Sequence, residues 1–116
     1  MTKTKITSLE LAHLARTALL EKKGEEIAII DVRGLSDVTD FYVIATGNNR
    51  PHLKALMDEC EHILNANRTR AHRHAGKPES GWMVADFWDV IVHVFSQDAR
   101  KNYALEDLWR DGKLVE

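Results

Sequence analysis

The chain has 116 residues, a formal net charge of −2 and one cysteine, Cys60. That length suffices for one hydrophobic core and predicts a single domain over residues 1–116, while a lone cysteine excludes an internal disulfide. No apolar run approaches the roughly 20 residues of a membrane span, and the N-terminal lysines precede no apolar stretch of signal-peptide type, so the expected location is the cytoplasm.

The first predicted helix covers residues 8–23. Thr7 and Glu10 have the spacing of a capping box, and Ile6 and Leu11 that of a hydrophobic staple. Leu11, Leu14, Ala15, Ala18 and Leu19 recur at helical spacing. Lys22 and Lys23 suit the negative end of the helix dipole, and Gly24 is the natural stop. The run Ile27–Val32 then reads as a strand buried on both faces. Arg33-Gly34 turns the chain into a second strand over Asp40–Thr46, which ends at Gly47-Asn48-Asn49. Only a few residues join these two strands, so they are predicted to pair antiparallel, because a parallel pair needs a longer crossover.

Pro51 belongs in the first turn of a second helix. Its buried stripe is Leu53, Leu56, Met57, Cys60, Ile63 and Leu64, which makes Cys60 a packed thiol. Residues 68–74 read either as an edge strand or as a solvated basic loop. Ala75–Gly81 reads as a loop from its Gly and Pro content. Two apolar runs meeting at Trp88-Asp89 predict a hairpin, Ser96 a cap for a short helix over Gln97–Asn102, and Leu105, Leu108 and Trp109 one more helical turn that seals the sheet. The order of elements predicts an α/β or α+β domain with one mixed sheet flanked by helices.

Charge divides unevenly along the chain. Residues 48–78 carry six basic and three acidic groups, whereas the last third, from residue 79, carries four basic and eight acidic ones. Such a mixture is not that of a general nucleic-acid binder. All three tryptophans lie beside the carboxylates of the acidic third, which points to a surface that grips a basic partner. Trp82, at a strand start, is read as a partly exposed contact residue, since Trp, Tyr and Arg dominate interface energetics. Trp88, in the turn, reads equally as core or contact. In the basic middle segment, Arg70 and Arg73 are candidates for a local RNA contact, since phosphate contacts position a binder without reading sequence; the competing reading is a solvated loop.

Catalytic and metal chemistry finds little purchase. Asp40 begins a strand, but the same-face position two residues on is Tyr42, so the paired carboxylates of a metal-dependent transferase are missing there; Asp31 could approach Asp40 only across strands. Gly47-Asn48-Asn49 could cradle a phosphate at a helix N-terminus, although strand-to-helix turns favour these residues anyway. His52, His62, His72 and His74 match no common zinc spacing. His93, inside an apolar strand, reads as a hydrogen-bonded sheet histidine. No metal or cofactor is expected, and the alternative retained is a nucleotide-binding or nucleotidyltransferase-like enzyme.

The segments Asp31-Val32-Arg33-Gly34-Leu35, Thr39-Asp40-Phe41, Ala45-Thr46-Gly47, Trp82, Asp89–Phe95, Tyr103 and Leu105–Trp109 together resemble the ribosomal silencing factor (Iojap) family, in order and at family spacing. The resemblance implies an inactive fold related to nucleotidyltransferases. It also implies binding to a large-subunit ribosomal protein at the intersubunit face, which would block subunit joining and damp translation under starvation. Trp82, His93, Tyr103, Glu106 and Asp107 are the residues expected at that contact. Independently of the resemblance, an exposed hairpin and apolar aromatics offer a self-complementary patch, so a homodimer is a further expectation. The chain departs from the family pattern in two places. Trp88 stands where the family commonly has Gly before the turn Asp, and Ala75 stands where Glu usually precedes the Gly.

Overall fold

The computed structural model describes residues 6–67, 73–103 and 112–115. Helix α1 (Ser8–Glu21) begins with the predicted capping box: the Glu10 N–H donates to Thr7 Oγ1 at 3.1 Å, and the Thr7 N–H donates to Glu10 Oε1 at 3.0 Å. Its end differs from expectation. The left-handed residue is Lys23 (φ 62°), not Gly24. The Lys23 and Gly24 N–H groups close back onto Leu20 and Leu19 carbonyls at 3.0 and 2.8 Å, the paired closure of a Schellman motif one residue earlier than a glycine stop requires.

Strands β1 (Glu25–Asp31) and β2 (Phe41–Gly47) pair antiparallel, as predicted. β2 is buried throughout, but β1 is only partly so: Ile29 and Ile30 are buried, and Ile27 and Ala28 half-buried. Near its start β1 bulges, with Glu26 at φ 49°. The buried Arg100 guanidinium ties the bulge down by donating to the Glu26 carbonyl and, at 3.0 Å, to Thr46 Oγ1. Helix α2 (Arg50–Ala66) is capped by Asn49, whose side chain accepts from the His52 N–H at 2.9 Å. The predicted stripe faces inward, with Ile63 only half-buried. Cys60 is fully buried, its thiol faces the Ala15 carbonyl at 3.7 Å, and burial pushes its pKa well above the ordinary value, as fits a packed thiol.

The largest difference concerns residues 75–81. Ala75-Gly76-Lys77 are not loop but the second half of an edge strand, β3 (Arg73–Lys77), and Pro78–Ser80 form a single 3-10 turn. Gly76 makes the pairing feasible. It sits at φ 80°, where a Cβ would lie 2.0 Å from the Trp82 carbonyl oxygen, so the glycine here serves a close backbone approach rather than a loop. Of the stretch 68–74 read as strand or loop, residues 73 and 74 are strand, and residues 68–72, including Arg70, lie outside the described residues.

β4 (Trp82–Asp86) and β5 (Val90–Ser96) form the predicted hairpin, and α3 (Gln97–Tyr103) follows with the Ala99 N–H on Ser96 Oγ at 3.1 Å. The helical turn expected around Leu105, Leu108 and Trp109 lies outside the described residues. A short strand not anticipated from sequence, β6 (Lys113–Val115), pairs antiparallel with β1. Among the described residues the sheet runs β3-β4-β5-β2-β1-β6, mixed because β2 and β5 pair in parallel.

The two faces of this sheet are built differently. α1 and α2 cover one face, packing Leu11, Leu19, Leu56 and Met57 onto Phe41, Val43, Val92 and Val94. The other carries Ile30, Tyr42, Ile44, Ile91 and Phe95, with Trp82 and Val84 half-buried at its margin. Ala99 of α3 packs over this second face, and α3 is the one helix there among the described residues.

Candidate interaction surface

Alternation along the strands places Trp82 and Val84 of β4, Tyr42 of β2 and His93 and Phe95 of β5 on the face away from α1 and α2. Trp82 opposes Phe95 in the β4–β5 register, and their rings stack with centroids 5.7 Å apart at 17°. The indole also lies over His93 at 6.0 Å and 18°, and its Nε1–H donates to His93 Nδ1 at 3.1 Å. Tyr42 flanks the imidazole at 5.4 Å. Trp82 is thus held by stacking on one side and by a hydrogen bond at its polar edge, with part of its surface still open to solvent.

His93 is buried, and burial pushes its pKa down to about 4. The imidazole is therefore neutral at ordinary pH. Because Nδ1 accepts from Trp82, the ring proton sits on Nε2, which has no hydrogen-bond partner among the described residues. The predicted hydrogen-bonded sheet histidine is what the structure contains. His93 lies beneath Trp82 rather than beside it at the surface. Burial, and secondarily Asp86, raises the Tyr42 pKa, so its phenol stays protonated.

The remaining expected contact residues are placed unevenly. Tyr103 ends α3. Glu106 and Asp107 lie outside the described residues, as does Arg70. Arg73 opens β3 with its guanidinium 3.6 Å from the Asp86 carboxylate and largely in solvent. Next to it, His74 pairs with Glu61 and fastens β3 to α2. Arg100, whose burial and long-range bonds organise the margin of this face, gave no local sequence signal beyond its charge.

The rival chemistries meet occupied groups. In the Gly47–Asn49 turn, the Asn48 N–H donates to His52 Nδ1 at 2.9 Å, and His52 Nε2 reaches the Lys22 carbonyl at 2.7 Å. The turn therefore holds α2 against the end of α1, and the Asn48 N–H is already engaged within it. Asp31 is bound to Arg33 through 3.0 and 2.8 Å hydrogen bonds, which hold its pKa below the usual carboxylate range. Among the described residues no three His, Cys, Asp or Glu side chains converge as metal ligands, and no helix is long and apolar enough to cross a membrane.

Fold and site together define a mixed α/β domain with one helix-covered sheet face and one aromatic face anchored by a fixed, partly exposed tryptophan. Residues 5–116 match the family described as "Ribosomal silencing factor during starvation". The chain is 33% identical over 111 residues to the ribosomal silencing factor RsfS of Halalkalibacterium halodurans, covering 96% of this chain and 95% of that protein. It is 34% identical over 106 residues to the RsfS of Bacillus subtilis, covering 91% and 90%. A crystal structure of a Chromobacterium violaceum protein superposes with a TM-score of 0.87 at 28% identity, covering 96% of this chain and 92% of that one. The chain belongs to the ribosomal silencing factor family, and is accordingly a ribosome-associated regulator of translation.

Proposed function

We propose that the chain silences ribosomes by occupancy rather than catalysis: its aromatic sheet face binds a protein of the large subunit at the intersubunit side and blocks subunit joining. The observation that carries this reading is the state of Trp82. Its ring is held in one orientation by Phe95 and His93, so little side-chain entropy remains to be lost on binding, and part of it stays exposed. In this reading His93 positions Trp82 from below, and Tyr103, Glu106 and Asp107 extend the contact. Their carboxylates favour a basic partner and speed encounter. Arg70 and Arg73 add a secondary RNA foothold on the intact subunit.

Sucrose-gradient sedimentation tests the core of the proposal. The wild-type chain is expected to travel with large subunits, and Trp82→Ala to remain at the top while still unfolding cooperatively. Co-sedimentation of the Trp82→Ala chain at wild-type level would remove Trp82 from the contact. Arg70→Ala with Arg73→Ala is expected to weaken binding to whole subunits but not to the isolated ribosomal protein; equal loss in both assays would rule out an RNA foothold.

A further inference from the structure

One polar atom beneath the aromatic face is left without a partner. The Trp82 Nε1–H donates to His93 Nδ1 at 3.1 Å, so the neutral imidazole carries its proton on Nε2 and can only donate there. That nitrogen is buried and meets no acceptor, the one buried side-chain nitrogen or oxygen so placed among the described residues. A buried donor without an acceptor forfeits its hydration and gains nothing in return, and native chains carry few of them.

The imidazole is shallow rather than deep, since His93 keeps a 7% exposure. In the strand register its neighbours are Ile44 of β2 and Val84 of β4, both uncharged, and Val84 is only half-buried. The charged side chains that β3 and β4 place on this face are Arg73, Lys77 and Asp86. Arg73 stands 3.6 Å from Asp86. Lys77 is exposed beside Trp82, two strands or roughly 10 Å from His93, where solvent and salt screen it. Arg100 gives its guanidinium to the Glu26 carbonyl and the Thr46 hydroxyl.

We propose that the partner protein brings a neutral carbonyl oxygen, from its backbone or from an Asn or Gln side chain, to accept the His93 Nε2–H. This rests on the aromatic face being the contact surface, and it gives His93 two ends with separate roles: Nδ1 fixes Trp82, and Nε2 bonds the partner. A neutral N–H needs no counter-charge, so a carbonyl meets its whole requirement. A phosphate or carboxylate would have to be desolvated against a neutral donor, with the cations of the face engaged or screened. Because Val84 beside the imidazole is half-buried, displacement of side chains alone, with the sheet unchanged, brings the oxygen to Nε2.

The test compares two replacements in the full chain. In His93→thiazolylalanine the ring nitrogen keeps the Nδ1 place and a sulfur stands where Nε2–H was; His93→Gln both accepts and donates. Binding to purified large ribosomal subunits is measured by sedimentation at fixed salt, together with the melting temperature of each free chain. The thiazole chain is expected to bind about tenfold more weakly, since the partner's carbonyl is then buried without a donor. Its melting temperature should hold or rise by about 3–6 °C, because the orphan donor is gone. His93→Gln should bind within about threefold of wild type. A merely structural histidine would not combine weaker binding with undiminished stability. Wild-type binding by the thiazole chain would overturn the inference, as would equal weakening in both variants, which would make the imidazole a matter of shape. A lowered melting temperature of the thiazole chain would do so too, since the free chain would then already satisfy Nε2–H. Trp82→Ala separates the two readings. If that chain binds as wild type does, the aromatic face is not the contact and both readings fall; if it fails to bind while the thiazole chain binds normally, only the carbonyl contact falls.

Discussion

At one end of the β4–β5 hairpin Trp82 lies flat against Phe95 and His93 with its N–H bonded; at the other, Trp88 stands largely in solvent on a left-handed backbone. The residue type is the same and the chain separation is six positions, yet one side chain is half-buried against stacked rings and the other is largely exposed. Three local facts produce the difference. Trp82 falls on a register position opposite an aromatic ring, its backbone is ordinary strand, and a buried imidazole sits below it. Trp88 has none of these. A tryptophan's role here is set by the strand register and the backbone beneath it.

The sharpest way to break the Trp82 end is through its backbone. Gly76 faces the Trp82 carbonyl so closely that the Cβ of Gly76→Ala would lie 2.0 Å from that oxygen, on a backbone at φ 80° that alanine also resists. Since the contact is backbone to backbone, no rotamer change relieves it, and β3 must detach or Trp82 must shift. Gly76→Ala is expected to cost about 3 kcal/mol in urea unfolding and to remove binding to large subunits with it. A stability within about 0.5 kcal/mol of wild type would show that β3 can slide without disturbing its neighbour.

A milder perturbation of the same end is acid. An unfolded histidine titrates near 6.5, whereas burial holds His93 at about 4 in the folded chain. Between those values the unfolded chain takes up a proton that the native state refuses, so stability falls as pH drops through this window. Above it His93 contributes no pH dependence. The loss reaches about 3 kcal/mol near pH 4, at roughly 1.4 kcal/mol per pH unit. Protonation would also set an N–H of the ring against the Trp82 N–H and break the 3.1 Å bond. His93→Gln can still accept from the indole and does not titrate, so denaturant melts across the window should flatten in this variant. An unchanged slope would assign the acid lability to the carboxylates instead.

What the sequence made legible follows the same division between local and non-local causes. Thr7 with Glu10, the inward stripe of α2, the antiparallel β1–β2 pair, the β4–β5 hairpin and the Ser96 cap are all fixed by residues a few positions apart, and each appears in the structure. The parallel β2–β5 pairing joins residues some fifty positions apart, Phe41 to Val90, and no local pattern announces it. Gly76 misled because glycine and proline ordinarily mark loops, whereas here the missing Cβ admits the Trp82 carbonyl. Lys23 takes the left-handed position expected of Gly24 because the closing hydrogen bonds, not residue preference, set where α1 ends. Trp82 was legible as a contact candidate by type and position. Its support by His93 was not, since the β4–β5 register had first to bring position 93 beneath it.

The smallest effect tests the other tryptophan. Comparing two small residues at position 88 isolates the cost of the left-handed backbone from whatever the indole contributes. Trp88→Ala removes the indole and keeps a Cβ at φ 71°; Trp88→Gly removes both. Left-handed backbone costs an L-residue about 1–2 kcal/mol, partly offset by the larger chain entropy that glycine gives up on folding. The glycine variant is therefore expected to be more stable than the alanine variant by about 0.5–1 kcal/mol in denaturant melts at fixed pH. Were alanine equal or better, the turn would relax to an ordinary backbone once the indole is gone. The strain would then belong to the side chain's own contacts, and the asymmetry between the two ends of the hairpin would be one of packing alone.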